Sequence, residues 1–453
     1  MNRPIPAALP KVCILVLALI HVSLPVTYSN EPLRLSLQDA LNHAVRENAE
    51  VRTARVELDI AEKLIWETTA AGLPQLNASI GYNYFIDIPT SLVPAEFFGG
   101  QPGEFEQIQF GTPHSVTATA SVEQLIFDGQ YIVGLRAARI YREIAGRNVQ
   151  RSELEVANTV RETYYLALLA SENLRILKQN HENIERLLAE YKALLKEGFT
   201  DPINVDQLRL MESNIKQLVS AMERQEQITL SLLKFQTGID RQAGIELTDS
   251  LDDLFQKTLP EALGAASPNK EQHIDYLIAG SREAMSQMVL RREQSAYLPS
   301  ISASFVRQEM AMRDGFNFFD GAEPWFPATY LALNLNIPIF SSGMRRSRVQ
   351  QAQLELEKSK IAREQVGRAI LLQVEEAITS LHTAYEQFLN EESSLETAGR
   401  IFERTSIMFR EGMASSMELN QANEQLLSTQ SGYLRAKFDV LSAHNQLEKA
   451  LGK

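Results

Sequence analysis

Cysteine is almost absent from this sequence, and its single copy, Cys13, stands near the start. Disulfides and thiol nucleophiles need cysteine, so we predict neither for the rest of the chain. No basic run occurs either, and 57 acidic residues outnumber 44 basic ones, for a net charge of −13. An acidic chain without a basic block binds nucleic acid poorly, so we expect no nucleic-acid partner.

Long apolar runs are also missing, since none reaches the roughly 18 residues that a transmembrane helix needs. The shorter run from Val12 to Val22 follows Arg3 and Lys11, which is typical of a secretory signal. We predict a signal peptide over residues 1–29; the alternative is a buried N-terminal helix. Cys13 lies inside this run, too early for the cysteine that is lipidated after cleavage, so we expect no lipid anchor on it.

Catalytic motifs are missing as well. The sequence holds no phosphate-binding glycine loop, no Gly-x-Ser-x-Gly and no His-Glu-x-x-His, and its seven histidines are scattered. We therefore predict that the protein is not an enzyme and holds neither a cofactor nor a resident metal.

Proline is missing between Pro113 and Pro202 and again after Pro338. Because proline in a helix interior breaks the helix, these gaps predict long helices over Gln130 to Lys196 and Met344 to Arg410. Each would be about 100 Å long at 1.5 Å per residue. Helices of this length indicate coiled-coil or tube-like packing rather than a globular domain.

The apolar periodicity of the two stretches agrees with coiled-coil packing. In the second stretch the apolar residues follow alternating steps of four and three, with Glu391 filling the one polar step. They are Ile370, Val374, Ala377, Leu381, Ala384, Phe388, Leu395, Ala398 and Phe402. In the first stretch Leu177, Ile184 and Tyr191 are seven apart. These heptads predict packing seams of a left-handed supercoil.

The chain is an internal duplication. Residues Asn48 to Ser79 align with His273 to Ser304 at a constant offset of 225. We predict a first repeat over residues 30–238, a linker or equatorial segment over 239–270, and a second repeat over 271–453. The linker is rich in Asp, Gly and Pro.

Each repeat also holds two segments in which apolar and polar residues alternate. Such alternation over eight to ten residues is typical either of membrane β-strands or of an antiparallel sheet with one wet face. We predict strands over about 75–86, 115–127, 300–312 and 328–340.

The segments between the paired strands, Asp87 to Pro113 and Arg313 to Pro327, look like irregular loops rich in glycine, proline and aromatic residues. Aromatic residues of the second loop either rest at a membrane interface or form a plain loop cluster. They are Phe318, Phe319, Trp325 and Phe326.

These features occur together in one known family. The segment Leu35 to Val51 adds a local match, in which Ser36 and Asp39 have the spacing of a helix N-cap box. With the signal peptide, the duplication, the paired strands and the long helices, the chain resembles the TolC-like outer membrane efflux protein family from about Leu35 to Gly452.

The resemblance implies a mainly α fold with membrane β-strands. Long coiled-coil hairpins would form an α-helical barrel across the periplasm, and four strands per copy would join a twelve-stranded transmembrane barrel in a homotrimer. It also implies a location in the outer membrane of a Gram-negative bacterium and partnership with a periplasmic adaptor and an inner-membrane transporter. The protein would be the exit duct of a tripartite efflux or type I secretion system. The alternative function is a secreted periplasmic coiled-coil scaffold or adaptor without a pore.

Physical chemistry supports the need for partners independently of the resemblance. An open four-stranded sheet leaves unpaired backbone groups at its edges, which lipid cannot satisfy. Known membrane barrels have about eight or more strands, so four are too few to close.

The same short turn occurs in both repeats, at about 198–204 and 412–418. Gly198 and Gly412 suit the backbone conformation that ends a helix, and Asn204 or Ser415 would start the next one. The resemblance implies that these hairpin tips dock the adaptor. Met408, Met413 and Met417 cluster at the second tip, where methionine suits either a docking surface or soft-metal binding.

The resemblance also implies a gate next to the second tip. The best-known members place two Asp residues six and nine positions after the tip glycine, and Glu418 and Gln421 hold those positions here. Phe409 matches an aromatic position, and Ala414 stands where those members carry Arg. We therefore expect a gate closed by packing rather than by ion pairs. Three Glu418 side chains either form a ring that attracts cations or lie as solvated surface residues.

Overall fold

A computed structural model describes residues 32–262 and 269–453, so the predicted signal peptide, 1–29, lies outside the described residues. The helices are α1 (Leu37–Glu47), α2 (Ala49–Ala70), α3 (Gly129–Lys196), α4 (Pro202–Thr237), α5 (Leu251–Ala262), α6 (Ile274–Ser295), α7 (Met344–Arg410) and α8 (Ser416–Ala450). The strands are β1 (Leu33–Leu35), β2 (Gln75–Tyr84), β3 (Thr90–Pro94), β4 (Phe105–Gln109), β5 (His114–Phe127), β6 (Ile245–Leu247), β7 (Ser300–Arg313) and β8 (Phe326–Asn336).

Two helical hairpins dominate the molecule. The first hairpin is formed by α3 and α4, and the second by α7 and α8. Helix α3 has 68 residues and α7 has 67, so the lengths inferred from the missing prolines agree with the structure. The predicted fold class is confirmed. Within the part of the chain that the structure describes, no helix is both long and apolar enough to cross a bilayer.

One four-stranded antiparallel sheet contains the long strands, in the order β2-β5-β7-β8. Register places Leu76, Val122, Phe305 and Leu331 in one row across the sheet. Leu76 and Leu331 remain 76% and 78% exposed, because no other part of the described chain covers this face. Strands β2 and β8 each pair on one side only, so both edges of the sheet are open in a single copy.

The structure corrects two details of the predicted sheet. Strand β8 ends at Asn336 rather than near residue 340, just before Pro338, which has no N–H for a ladder bond. The segment from Asp87 to Pro113 is not wholly irregular, because β3 and β4 pair within it as a small hairpin. The corresponding loop of the second repeat has no such strands.

The segment between the predicted repeats is folded over the residues that the structure describes, 239–262. Strand β6 pairs in parallel with β1, over 200 residues earlier. The hydroxyl of Tyr164, a buried residue of α3, lies 2.9 Å from both the Leu35 carbonyl oxygen and Asp249 Oδ2, within hydrogen-bond distance of each. Phe255 of α5 packs on Phe388 of α7, with ring centroids 4.6 Å apart. The segment therefore ties the N-terminal strand to both hairpins.

Candidate functional site

Both hairpins turn in the same way at their tips, defined here as residues 197–201 and 411–415. Gly198 and Gly412 have φ of +79° and +74°, the left-handed region that glycine enters without a steric penalty. After Gly198, the Phe199 N–H donates to the Leu194 carbonyl, at 2.9 Å. The Met413 N–H makes the equivalent bond to the Met408 carbonyl at 2.8 Å. Each tip is thus a Schellman turn that satisfies helix-end carbonyls.

The next helices start from different caps. Asp201, not Asn204, is the N-cap of α4, because its carboxylate accepts from the Ile203 N–H at 2.9 Å and Pro202 follows it at the first helical position. The prediction for Asn204 is therefore wrong. Ser415 is the N-cap of α8, as predicted.

Glu418 completes a capping box with Ser415. Its carboxylate accepts from the Ser415 N–H at 2.7 Å and from the Ser415 hydroxyl at 2.9 Å. These hydrogen bonds favour the ionised form and lower the pKa of Glu418, the bond to the backbone N–H having the larger effect. The side chain is exposed, so the carboxylate is both a helix cap and a solvated negative charge.

Phe409 lies between the two hairpins. It is 3% exposed and its ring stacks on Tyr191 of α3, with centroids 4.7 Å apart. The Tyr191 hydroxyl donates to the Phe409 carbonyl at 3.1 Å. Desolvation raises the pKa of Tyr191, so the hydroxyl keeps its proton for this bond. Phe409 thus joins the hairpins within one copy.

The buried residues around this ring pair form one apolar cluster, the tip cluster, with contributions from α3, α4, α7 and α8. Its members are Leu187, Leu188, Tyr191, Val205, Leu208, Phe409 and Leu419.

A polar contact joins the hairpins next to the tips. The Ser416 hydroxyl contacts Asn204 Oδ1 at 2.9 Å and also contacts Gln207 Oε1. Asn204, which sequence reasoning assigned to a cap, therefore connects α4 to α8. Gln421 is exposed on α8. Sequence periodicity gave no signal for Ser416 or Gln207, since their contacts join residues more than 200 apart.

Apolar side chains protrude at both tips and in the first turn of the helix that follows each tip. Phe199 and Ile203 of the first tip region are 79% and 59% exposed, and Met413 and Met417 of the second are 66% and 68% exposed. An exposed apolar rim of this kind is typical of a surface for protein contact. No group of three His, Cys, Asp or Glu side chains within residues 32–262 and 269–453 is arranged to hold a metal ion.

The sequence matches a known family over most of its length. A model of the family described as "Outer membrane efflux protein" matches residues 40–238 and 282–453. Each matched segment lies within one of the two predicted repeats.

Individual relatives cover nearly the whole chain. It is 21% identical over 416 residues to the probable outer membrane lipoprotein SilC of Salmonella typhimurium, covering 91% of this chain and 84% of that protein. It is 20% identical over 436 residues to the outer membrane protein TolC of Vibrio cholerae, covering 92% and 90%. A crystal structure of CusC has the same fold, with a TM-score of 0.72 at 16% identity, covering 94% and 95% of the two chains.

Proposed function

Because the chain belongs to the outer membrane efflux protein family, we propose that it is the exit duct of a tripartite efflux or type I secretion system. The duct is a homotrimer in the outer membrane of a Gram-negative bacterium. Substrate passes through it passively, and an inner-membrane transporter with its periplasmic adaptor supplies the energy. The family membership disfavours the alternative of a periplasmic scaffold without a pore.

The open sheet is the observation that carries this proposal. One copy has two unpaired edges, β2 and β8, and an apolar face that includes Leu76 and Leu331. In lipid, unpaired backbone N–H and C=O groups cost several kcal/mol each, so strands cross a bilayer only in closed barrels. Pairing β2 of one copy with β8 of the next removes both edges. The long helices, continuous with the strands, then surround a common axis.

The hairpin tips are the proposed docking surface for the adaptor. Gly198 and Gly412 set the two turns. Asn204 ties α4 to the start of α8 through Ser416, and Ser415 caps α8. Met413 and Met417 present apolar, conformationally adaptable side chains beside them, which suits contact with another protein. Six such tips in a trimer would form the inner rim of the duct.

The gate is proposed at Glu418, Gln421 and Phe409. Phe409 packs the second hairpin against the first, so closure relies on the tip cluster. Glu418 and Gln421 are exposed polar groups on the following helix. Hydrogen bonds from Ser415 lower the pKa of Glu418 and so favour its charged form. A ring of three such carboxylates would attract cations and disfavour anions.

Planar bilayer recordings of the purified trimer test both parts of the proposal. A duct inserts and gives discrete conductance steps, whereas a scaffold gives none. Glu418→Gln removes the charge but preserves the capping box, since Gln also serves at that position. We expect its preference for cations over anions to fall relative to the wild type. Ser428→Ala, at an exposed position of the same helix outside the proposed gate, changes no charge and is the control. An unchanged preference in Glu418→Gln would rule out the ring while leaving the duct intact.

A further inference from the structure

The loop between β7 and β8, residues 314–325, is folded back onto the sheet. Phe318 of this loop is 7% exposed, and its ring centroid lies 6.1 Å from that of Tyr82 on β2. The Phe316 ring meets the same Tyr82 ring edge-on, with centroids 5.5 Å apart. Because β5 lies between β7 and β2, the loop crosses β5 and reaches the free edge of the sheet at β2.

Polar contacts hold the loop in this position. The buried guanidinium of Arg313, at the end of β7, pairs with the Glu323 carboxylate at 3.1 Å. Its Nη2 donates to the carbonyls of Glu323 and Pro324 at 3.0 and 3.1 Å. Asn317 Nδ2 donates to Glu323 Oε1 at 3.1 Å, which closes the loop on itself. Charge-assisted hydrogen bonds of this kind give the loop a defined place on the sheet.

The loop lies on the apolar face of the sheet, and only at the end away from the helices. Side chains alternate along a strand, so Tyr82 shares a face with Leu76. Ala311 of β7 shares that face with Phe305 and is 0% exposed. In the proposed duct this face meets lipid, and the end away from the helices is extracellular.

One aromatic ring of the loop finds little contact in its own copy. Phe319 is 95% exposed, although the adjacent Phe318 is buried. The Phe319 ring centroid lies 6.5 Å from that of Phe316, which is itself 64% exposed. A single copy therefore leaves two large apolar rings uncovered beside β2.

The next copy of the chain reaches this place when the barrel closes. Pairing β2 of one copy with β8 of another brings the first residues of that β8 to the extracellular end of β2. The residue before β8 is Trp325, which is 37% exposed. Pro327 pairs with Glu309 on the apolar face, and continued alternation puts Trp325 on the same face. Trp325 of one copy and Phe319 of the next thus lie on the same face where the copies join.

We propose that residues 314–325 form a clasp between copies, in which Phe319 and Phe316 of one copy pack on Trp325 of the next. The inference rests on the proposed duct and deepens it by naming a surface that holds the copies together outside the cell. Each copy contributes a loop on its β2 side and receives one on its β8 side, so the contact repeats around a closed ring. Aromatic pairing and burial of apolar area both stabilise such a contact.

The position of the loop favours a second copy over lipid as the partner of these rings. The loop crosses the sheet to β2, the strand edge that barrel closure must cover. A loop that only anchored the sheet in lipid would have no need to reach this edge.

Dissociation of the purified trimer in detergent tests the clasp. Electrophoresis follows the rate at which trimers fall apart into single chains at one fixed temperature. Phe319→Ser should raise this rate at least about tenfold, because it removes a large apolar contact wherever two copies meet. Phe97→Ser, at a ring that is 78% exposed in the other extracellular loop, is the matched control and should change the rate less than about twofold. Because Phe319 is so exposed within its own copy, its substitution leaves the fold of one chain intact.

Fluorescence of Trp325 locates the contact. The chain has two tryptophans, so Trp66→Phe leaves Trp325 as the only indole. In trimers of that background, adding Phe319→Ser should increase the quenching of Trp325 by acrylamide, because it uncovers the indole. In dissociated single chains the same substitution should not change the quenching, because the contact requires the neighbouring copy.

Equal dissociation rates for Phe319→Ser and Phe97→Ser would overturn the clasp, and so would unchanged quenching of Trp325 in the trimer. A ring that only anchors the loop in lipid gives both of these results, since detergent has replaced the bilayer. Planar-bilayer conductance of the wild-type trimer is recorded on the same preparation. Conducting wild-type trimers with either result refute the clasp alone, whereas a wild type that forms no trimer and never conducts refutes the duct.

Discussion

The two helical hairpins of this chain have the same turn geometry at their tips but different side-chain packing beyond the tips. Both tips are Schellman turns around a glycine of positive φ. Above the tips, the first hairpin has a compact apolar cluster at Ile184, whereas the second has Ala398 at the same place. Duplication thus preserved the turn geometry while the packing diverged. The turn geometry is therefore common to both hairpins, whereas the packing beyond the turns is specific to each.

The largest expected effect comes from removing the bulky side chain that distinguishes the first hairpin. Ile184→Ala should destabilise the packing of α3 against α4 by about 2–4 kcal/mol, because it deletes buried methyl groups and leaves a cavity. Local hydrogen exchange would measure the change as faster exchange in α3 and α4. Lys192→Ala, at an exposed position of the same helix, is the control and should change little. Equal effects of the two substitutions would show that the cluster does not stiffen the hairpin.

A smaller effect should reveal whether the two tips are equivalent. Asp201→Ala and Ser415→Ala each remove an N-cap, which typically costs about 1 kcal/mol. In hydrogen-exchange measurements we expect the backbone amides in the first turns of α4 and α8 to lose similar amounts of protection. A clearly larger loss at one tip would break the equivalence inferred from the shared turn geometry.

The smallest effect is a dependence on pH at the start of α8. Hydrogen bonds from Ser415 lower the pKa of Glu418 in the folded chain, so the box stabilises the helix above the usual pKa of a glutamate. This stabilisation is lost as the pH falls through the lowered pKa. Hydrogen exchange, corrected for intrinsic exchange rates, should show that the first turn of wild-type α8 loses amide protection in acid. Glu418→Gln should not, because an amide does not titrate there. If the wild type and Glu418→Gln lost amide protection at the same pH, the capping box would not be the source of the pH dependence.

The sequence alone supports much of the fold, because long-range order here follows from local signals. The absence of proline predicts α3 and α7. The alternation of apolar and polar residues predicts the four long strands within a few residues of where the structure has them. The repeated glycine marked both tips. The cap of α4 was assigned to Asn204, although Asp201 before Pro202 is itself a recognisable start signal.

The periodicity of apolar residues does not predict which distant segments contact each other. The pairing of β1 with β6, the stacking of Phe409 on Tyr191 and the contact of Ser416 with Asn204 all join residues about 200 apart or more. Each depends on how complete elements pack together. The short β3–β4 hairpin was missed because its strands have only five residues each, too few for a clear alternation. The roles of Glu418, Gln421 and the tip residues remain predictions.

Disulfide cross-linking between copies tests most directly whether separate chains close the sheet. The only native cysteine, Cys13, lies in the predicted signal peptide, so introduced pairs react alone. Asn77→Cys on β2 is combined in turn with Ala328→Cys, Ala332→Cys and Asn334→Cys on β8, all on the polar face. Within one copy β5 and β7 separate these strands, which is too far for a disulfide.

The control pair, Asn77→Cys with Ser121→Cys, lies directly opposite on neighbouring strands of one copy and should form a bond within a single chain. We predict that at least one β2–β8 pair gives a covalent species of three chains in outer membrane preparations. Single chains only, under conditions in which the control pair is oxidised, would contradict closure of the barrel by neighbouring copies.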